Sequence, residues 1–333
     1  MNRGTLLQAE RAARVIPTTM SKRGVRPLFT DWLLTESDGC AWLFGVLDVG
    51  KVRKLEDYTR PDLLHHLSTA LQGMPVFLSN SNGLRYAVLL NDPPKLPGKI
   101  DFPGVERGQV RLGRRAGGGE VRLTWDRLEH VLVAGMTGSG KSSFLRLLVY
   151  QALGDGCALM LADRDGVTFP MLADHPALLA PIAQTPDEMR ALIARGLGEC
   201  DAHAAQYAQV DGFPDNLSEY NALAQEQGAP ILPRLVVVLD EFNSAAVATG
   251  GANGSLTTAA AELGWRGRKF GVTLIFAAQD FIKGIVGRVR DQAATVCFRV
   301  QSAAAARHVG CEDAVKIPAQ RPGLAITDRW GAM

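Results

Sequence analysis

The stretch AGMTGSGKSS, residues 134–143, restricts the possible folds more than any other part of the chain. It fits G-x-x-x-x-G-K-S as Gly135, Met136, Thr137, Gly138, Ser139, Gly140, Lys141 and Ser142, with Ser143 following. A triphosphate needs donors on several sides at once, and glycines let backbone N–H groups close around it. Lys141 then brings a point charge to the β and γ phosphates, and the Ser142 hydroxyl is a ligand for Mg²⁺. The flanks matter as much as the pattern. HVLVAG before the loop reads as a buried strand. SSFLRLLVYQAL after it places Phe144, Leu147, Leu148 and Ala152 close to helical spacing. Strand, loop and helix in that order set phosphates on a helix N-terminus.

A second element follows from RLVVVLDEF, residues 234–242, an apolar strand that ends in Asp240 and Glu241. In a parallel sheet the carboxyl ends of the strands face the phosphate site. Asp240 is placed to hold Mg²⁺ through water, and Glu241 to orient and deprotonate an attacking water. A glutamate after the aspartate favours hydrolysis over transfer to an acceptor. Gln279 closes the strand LIFAAQ and is a candidate for contact with the γ-phosphate; a plain strand-end glutamine is the competing reading. Just before that strand, GWRGRKFG carries Arg266, Arg268 and Lys269. These are either a solvated basic turn or the source of an arginine for a neighbouring subunit's site.

The other strands follow the same logic. CALMLAD (157–163), GVTLIFAAQD (271–280) and ATVCFRV (294–300) are continuous apolar runs separated by helical stretches. That pattern predicts an α/β fold with a mostly parallel sheet covered by helices on both faces. TPDEMRALIARGL opens with Thr185, Pro186 and Glu188, the spacing of a capping box with proline at the first helical position. Ahead of this domain, residues 28–107 read as a small α+β module. WLLT and AWLFGVLDV are its first strands, and Leu63, Leu64, Leu67 and Leu71 give a helix. PVFLSNSNGLRYAVLL is a hairpin with an Asn-Gly turn, and NDPPKLPG (91–98) a proline-rich linker.

Residues 1–27 carry Arg3, Arg11, Arg14, Lys22, Arg23 and Arg26 against Glu10 alone. They read as a basic tail, either solvated or docking on nucleic acid, a membrane surface or another subunit. Net charge over the 333 residues is only +2, so any surface for an anionic polymer must be local. The five cysteines, Cys40, Cys157, Cys200, Cys297 and Cys311, are scattered and include no C-x-x-C pair. This argues against a disulfide framework or a zinc site and for a reducing cytoplasm. No apolar run approaches the ~20 residues that span a bilayer.

Taken together, HVLVAGMTGSGKSSFLR, VVVLDEF, RKFGVTLIFAAQD and CFRVQSAAAARHVGCEDAVKIPAQRPGLAI resemble the FtsK/SpoIIIE motors of the FtsK/HerA superfamily. The likeness covers residues 108–328 well. It implies a RecA-like P-loop NTPase domain over 108–333 that binds ATP through Gly135 to Ser143. It further implies Asp240 and Glu241 as the Walker B pair, Gln279 as sensor and Arg268 as the residue acting on a neighbour. DFIKGIVGRVRDQ corresponds to a loop facing a central pore, so Lys283, Arg288 and Arg290 are expected to track DNA phosphates; a solvated charge run is the alternative. Thr295 stands where the family has an arginine, and Asp165 where it has a lysine, which makes one pore loop less basic. With no helix-turn-helix domain after the motor and no membrane region before it, the resemblance points to a compact version from a mobile element. The expectation is an ATP-hydrolysing homo-oligomer, a hexameric ring that moves double-stranded DNA, with the N-terminal module as collar or partner-recruiting site. Two alternatives stand beside it: a conjugative or secretion coupling ATPase moving protein or single-stranded DNA, and a nucleotide-gated scaffold that hydrolyses slowly.

Overall fold

A computed structural model describes residues 3–37, 39–52, 54–79, 84–91, 100–102, 104–115 and 119–333. The chain divides into two compact units, Met1–Pro97 with Ala116–Gly119, and Gly98–Arg115 with Glu120–Met333.

The first unit begins with helix α1 (Arg3–Lys22), followed by strands β1 (Phe29–Ser37) and β2 (Cys40–Leu47). Helices α2 (Glu56–Thr59) and α3 (Pro61–Ala70) and strands β3 (Val76–Ser79) and β4 (Arg85–Leu89) complete it. The four strands form an antiparallel sheet in the order β1-β2-β4-β3. Leu63, Leu67 and Leu71, the helical stripe expected from the sequence, are buried with Leu43, Tyr86 and Val88. The Asn-Gly turn and most of the proline-rich linker lie outside the described residues.

Segment 3–22 departs from the expected tail. Its arginines dominate its composition, but Ala9, Ala12, Ile16 and Met20 recur three and four residues apart and are buried as one stripe. That stripe joins the core around Leu63 and Leu67. The charge marks the solvent face of an amphipathic helix, and the smaller apolar face decides the structure.

The second unit opens with a hairpin of β5 (Gln109–Arg114) and β6 (Glu120–Thr124), then the short helix α4 (Trp125–Leu128). Strand β7 (His130–Ala134) leads into helix α5 (Lys141–Gly154), and β8 (Ala158–Ala162) into α6 (Pro186–Tyr207) and α7 (Leu217–Gln227). Strand β9 (Leu235–Leu239) is followed by α8 (Phe242–Ala248) and α9 (Ser255–Gly267), and β10 (Val272–Ala278) by α10 (Lys283–Val289). Strand β11 (Ala293–Cys297), helix α11 (Ala303–His308) and the short strands β12 (Ile326–Thr327) and β13 (Gly331–Ala332) end the chain.

The sheet order is β13-β12-β11-β7-β10-β9-β8. From β11 to β8 every pairing is parallel, and β12 and β13 add an antiparallel edge. Strand alternation sends Leu132, Met160, Val237 and Phe276 to one face, under α6, α8 and α9. It sends Val131, Val133, Leu161 and Val238 to the other, where Phe144, Leu145 and Leu148 of α5 cover them. Both faces are dry, which is why these strands read as unbroken apolar runs. The predicted capping box is present: Thr185 Oγ1 accepts from Glu188 N, and Glu188 Oε2 accepts from Thr185 N.

Candidate active site

Strand β7 occupies the middle of the sheet, and the phosphate loop leaves its carboxyl end. Gly135 N donates to Ala278 O of β10, and Met136 N to Arg299 O, so both neighbours of β7 pin the start of the loop. A side chain at Gly135 would meet Ser139 Oγ at 2.7 Å and Phe298 Cβ at 2.8 Å. Gly140 has φ +111, and a Cβ there would lie 2.8 Å from Gly323 N. The loop is thus held from outside by Phe298 and by the segment before β12, where Gly323 N donates to Ser139 O at 2.8 Å. Helix α5 starts at Lys141, so its first N–H groups have no intrahelical acceptor and point out of the turn.

The carboxyl end of β9 completes the site. Lys141 Nζ lies 2.7 Å from Asp240 Oδ1 and 2.7 Å from Glu241 Oε1. Burial alone would push the Lys141 ammonium down, but the Asp240 and Glu241 carboxylates more than reverse this and hold it above the usual lysine value. The Asp240 carboxylate is buried, whereas Glu241 keeps part of its surface open. Glu241 sits at φ 53, ψ 35, the left-handed region that a non-glycine residue enters at a cost of about 1–3 kcal/mol. The kink turns the chain from β9 into α8, while Glu241 N donates to Asp240 Oδ1 at 3.0 Å.

The structure brings Gly135 to Ser143, Asp240 and Glu241 together at one end of the sheet. Gln279 follows Ala278, whose carbonyl accepts from Gly135, and is exposed at the same end. Arg268 is not there. It follows α9 at the opposite end of β10, which puts it about 20 Å away at ~3.3 Å per residue. Its guanidinium pairs with Glu129 at 2.9 Å and is two-thirds exposed. The expected pore loop is largely helix α10, anchored by buried Ile285. Lys283 and Arg290 are exposed on this segment, and Arg290 Nη1 donates to His308 O at 3.3 Å; the Arg288 side chain lies outside the described residues. Thr295 lies within β11, fully buried, with its N–H bonded to Asp328 Oδ1. Asp165 is exposed.

Sequence reasoning missed Thr168 and Asp163. Thr168 Oγ1 donates to Asp240 Oδ2 at 2.8 Å, and Asp163 accepts the backbone N–H groups of Thr168 and Phe169, each at 2.7 Å. An acid closing the apolar strand CALMLAD was the available signal. Nothing in the sequence alone tied the threonine five residues later to Asp240.

The chemistry of this donor set fits a magnesium nucleotide. An ammonium and a helix N-terminus face phosphate charge, while Ser142 and Asp240 offer the hard oxygen ligands that Mg²⁺ takes. Ser139 Oγ, in the same loop, is buried with no hydrogen-bond partner among the described residues. Among the described residues, no group of three or more His, Cys, Asp or Glu side chains gathers to hold a metal. Also among the described residues, no helix is long and apolar enough to cross a membrane.

Curated relatives resemble the chain in sequence. The chain is 27% identical over 212 residues to the DNA translocase FtsK of Listeria monocytogenes, covering 60% of this chain and 27% of the relative. It is 30% identical over 186 residues to the DNA translocase FtsK of Helicobacter pylori, covering 53% of this chain and 21% of the relative. The chain therefore spans about a quarter of the length of these relatives. Solved structures share the fold. The pCW3 conjugation coupling protein TcpA, in a monomer form with ATPγS, superposes with a TM-score of 0.61 at 18% identity, over 96% of this chain and 91% of TcpA. The cytoplasmic domain of the type VII secretion ATPase EccC from Thermomonospora curvata gives a TM-score of 0.57 at 26% identity, over 72% of this chain and 29% of EccC. The model of the FtsK/SpoIIIE family matches residues 104–283, more than half of the chain and all of the loop and acid pair described above. The fold is that of a P-loop ATPase, and the chain belongs to the FtsK/SpoIIIE family.

Proposed function

We propose that this chain is the motor subunit of an ATP-driven machine that moves double-stranded DNA. The observation that carries this reading is the Lys141, Asp240 and Glu241 cluster within the segment matched to the FtsK/SpoIIIE family. In the proposed cycle Lys141 exchanges its two carboxylate partners for the β and γ phosphates. That exchange frees Asp240 to join Ser142 in holding Mg²⁺, and frees Glu241 to accept a proton from the attacking water. Mg²⁺, when bound, neutralises phosphate charge as it shifts toward the leaving oxygen. The N–H groups of Gly135 to Ser143 hold the phosphates, and Gln279 senses the γ-phosphate from the neighbouring strand.

Arg268 stands at the wrong end of the sheet for its own chain's phosphates, which supports action on an adjacent copy in a ring. We assign this role to a homo-oligomer, with six subunits as the expected number. Lys283, Arg288 and Arg290 are the proposed DNA-tracking residues, residues 108–333 the motor and 28–107 a collar or recruiting module. A cytoplasmic site of action and an origin in a mobile element belong to the same reading.

A second reading, a coupling ATPase for conjugation or secretion, is favoured by two likenesses. The likeness to TcpA runs over 96% of the chain and so takes in the N-terminal unit, and the likeness to EccC reaches 26% identity. ATPase rates with linear duplex, single strands or no nucleic acid, across a salt series, separate the two. Duplex stimulation that falls steeply with salt supports duplex tracking. Stimulation by single strands alone supports coupling. Hydrolysis that ignores both, joined to an assembly locked by ATP, supports the scaffold alternative.

A further inference from the structure

The turn after β8 is tied to the nucleotide site at three points that the reading above does not use. Asp163 Oδ2 accepts from Thr168 N and Phe169 N, and Oδ1 from Val167 N at 3.3 Å, which folds residues 164–169 back on the strand end. The fold-back buries Thr168 and Phe169 but leaves Arg164, Asp165 and Val167 exposed. The first tie is Thr168 Oγ1 to Asp240 Oδ2. The second runs from Arg164 Nη1 to Ser244 Oγ at 2.8 Å, and from Ser244 Oγ to Glu241 O at 2.9 Å. The third comes from α5, where Arg146 Nε donates to Thr168 O and Nη2 to Val167 O, both at 2.8 Å.

These bonds divide the two oxygens of Asp240. Oδ1 accepts from Lys141 Nζ and Glu241 N, and among the described residues Thr168 is the donor to Oδ2. A carboxylate that must present an oxygen to Mg²⁺ while its lysine leaves needs its rotation fixed by something else. Thr168 is a buried donor 2.8 Å away, itself fixed by Asp163. We propose that Thr168 is the positioning residue for Asp240, and that through it the exposed turn Arg164–Val167 responds to the occupancy of the nucleotide site. This rests on the nucleotide reading of the cluster.

The test compares Thr168→Val, which keeps shape but removes the donor, with Thr168→Ser, which keeps the donor. A fluorescent N-methylanthraniloyl ATP analogue is titrated against each full-length protein with Mg²⁺ and with EDTA. Loss of one hydrogen bond to a charged group predicts Mg²⁺-dependent binding about tenfold weaker in Thr168→Val. Thr168→Ser stays within about twofold of wild type, and all three proteins bind alike in EDTA. Amide hydrogen exchange over residues 164–169 of the wild type is expected to change on adding Mg²⁺ and a non-hydrolysable ATP analogue. Thr168→Val binding like wild type in both buffers overturns the positioning role and leaves the nucleotide reading intact. Equal losses in Val and Ser variants overturn it too, because the hydroxyl then does not matter. Should the Val variant not fold, unchanged exchange in the wild-type turn on nucleotide binding overturns the coupling. A wild type that binds no nucleotide removes both readings together.

Discussion

Lys141 Nζ and Glu241 Oε1 are 2.7 Å apart, so the charge proposed to grip the γ-phosphate is also the charge that holds the proposed base. A third group, Asp240 Oδ1, shares the same ammonium at 2.7 Å. Two carboxylates against one ammonium leave the cluster one negative charge in excess. With Lys141 turned to phosphate, as proposed, Mg²⁺ when bound would supply the positive charge that Asp240 and Glu241 then lack, while without a nucleotide the lysine neutralises the pair in part.

Removing the proposed base should separate binding from turnover. Glu241→Gln keeps the size and the left-handed turn but cannot take a proton. General-base catalysis is worth about 10²–10⁴-fold, so turnover is expected to fall by that range. Nucleotide affinity should hold within a few-fold. Lys141→Ala should lose affinity itself. Steady-state ATPase assays paired with equilibrium nucleotide binding check both, and a Glu241→Gln protein with wild-type turnover would remove Glu241 from the mechanism.

Arg268 makes a prediction about pairs of chains. Its partner in its own chain is Glu129, a residue with φ 58, and Arg329 approaches the same carboxylate at 3.9 Å. If Arg268 acts on a neighbour, Arg268→Ala should lose about 10³-fold or more in turnover while binding nucleotide normally. Lys141→Ala should be inactive for a different reason, the loss of nucleotide binding. In an equimolar mixture of the two variants, about a quarter of random interfaces combine an intact loop with an intact arginine. The mixture should therefore be more active than either variant alone. A mixture as inactive as its components would place Arg268 outside the reaction.

The parts that were legible in the sequence are those where one local rule decides. The phosphate loop has a fixed spacing, the buried strands are unbroken apolar runs, and Thr185 with Glu188 form a cap through their own side chains. The missed parts depend on tertiary placement. Thr168 reaches Asp240 because Asp163 folds the chain back over five residues, and no periodicity encodes that. The resemblance implies a loop over DFIKGIVGRVRDQ, yet Lys283–Val289 is a helix with Ile285 buried, which the resemblance does not encode. Arg3–Lys22 misled because charge is easy to count, and a stripe of two alanines, an isoleucine and a methionine is easy to overlook.

That stripe gives a stability test. Ile16 is fully buried in the core of the first unit, and Leu7 on the same helix is 60% exposed. Ile16→Ala removes three carbons from a packed site and should cost about 2–5 kcal/mol. Leu7→Ala should stay within about 0.5 kcal/mol. Urea unfolding followed by amide hydrogen exchange of the peptides spanning β1 to β4 reads the first unit by itself. A solvated tail would show no effect from either substitution.

His130 links acidity to the stability of the second unit. It begins β7, where Nε2–H donates to Gly264 O at 2.7 Å and Nδ1 accepts from Leu274 N at 3.1 Å. Both ring nitrogens are used, and the ring is neutral in this arrangement. Burial pushes its pKa below the usual histidine value, and the bond to the Gly264 carbonyl only partly offsets that. The unfolded chain therefore takes up a proton near pH 6.5 while the folded one does not. Stability contributed by neutral His130 is fully present above about pH 6.5 and declines as pH falls below it, at up to about 1.4 kcal/mol per pH unit, until the folded pKa is reached. Protonation at Nδ1 would also break the bond from Leu274 N and loosen β7 from β10, the strands that carry the phosphate loop and Gln279. Denaturation midpoints measured at pH 7.5 and pH 5.5 should differ in wild type, and by less in His130→Asn, which keeps one donor and one acceptor but has no proton to gain. An equal pH dependence in the two proteins would assign the acid sensitivity to other groups.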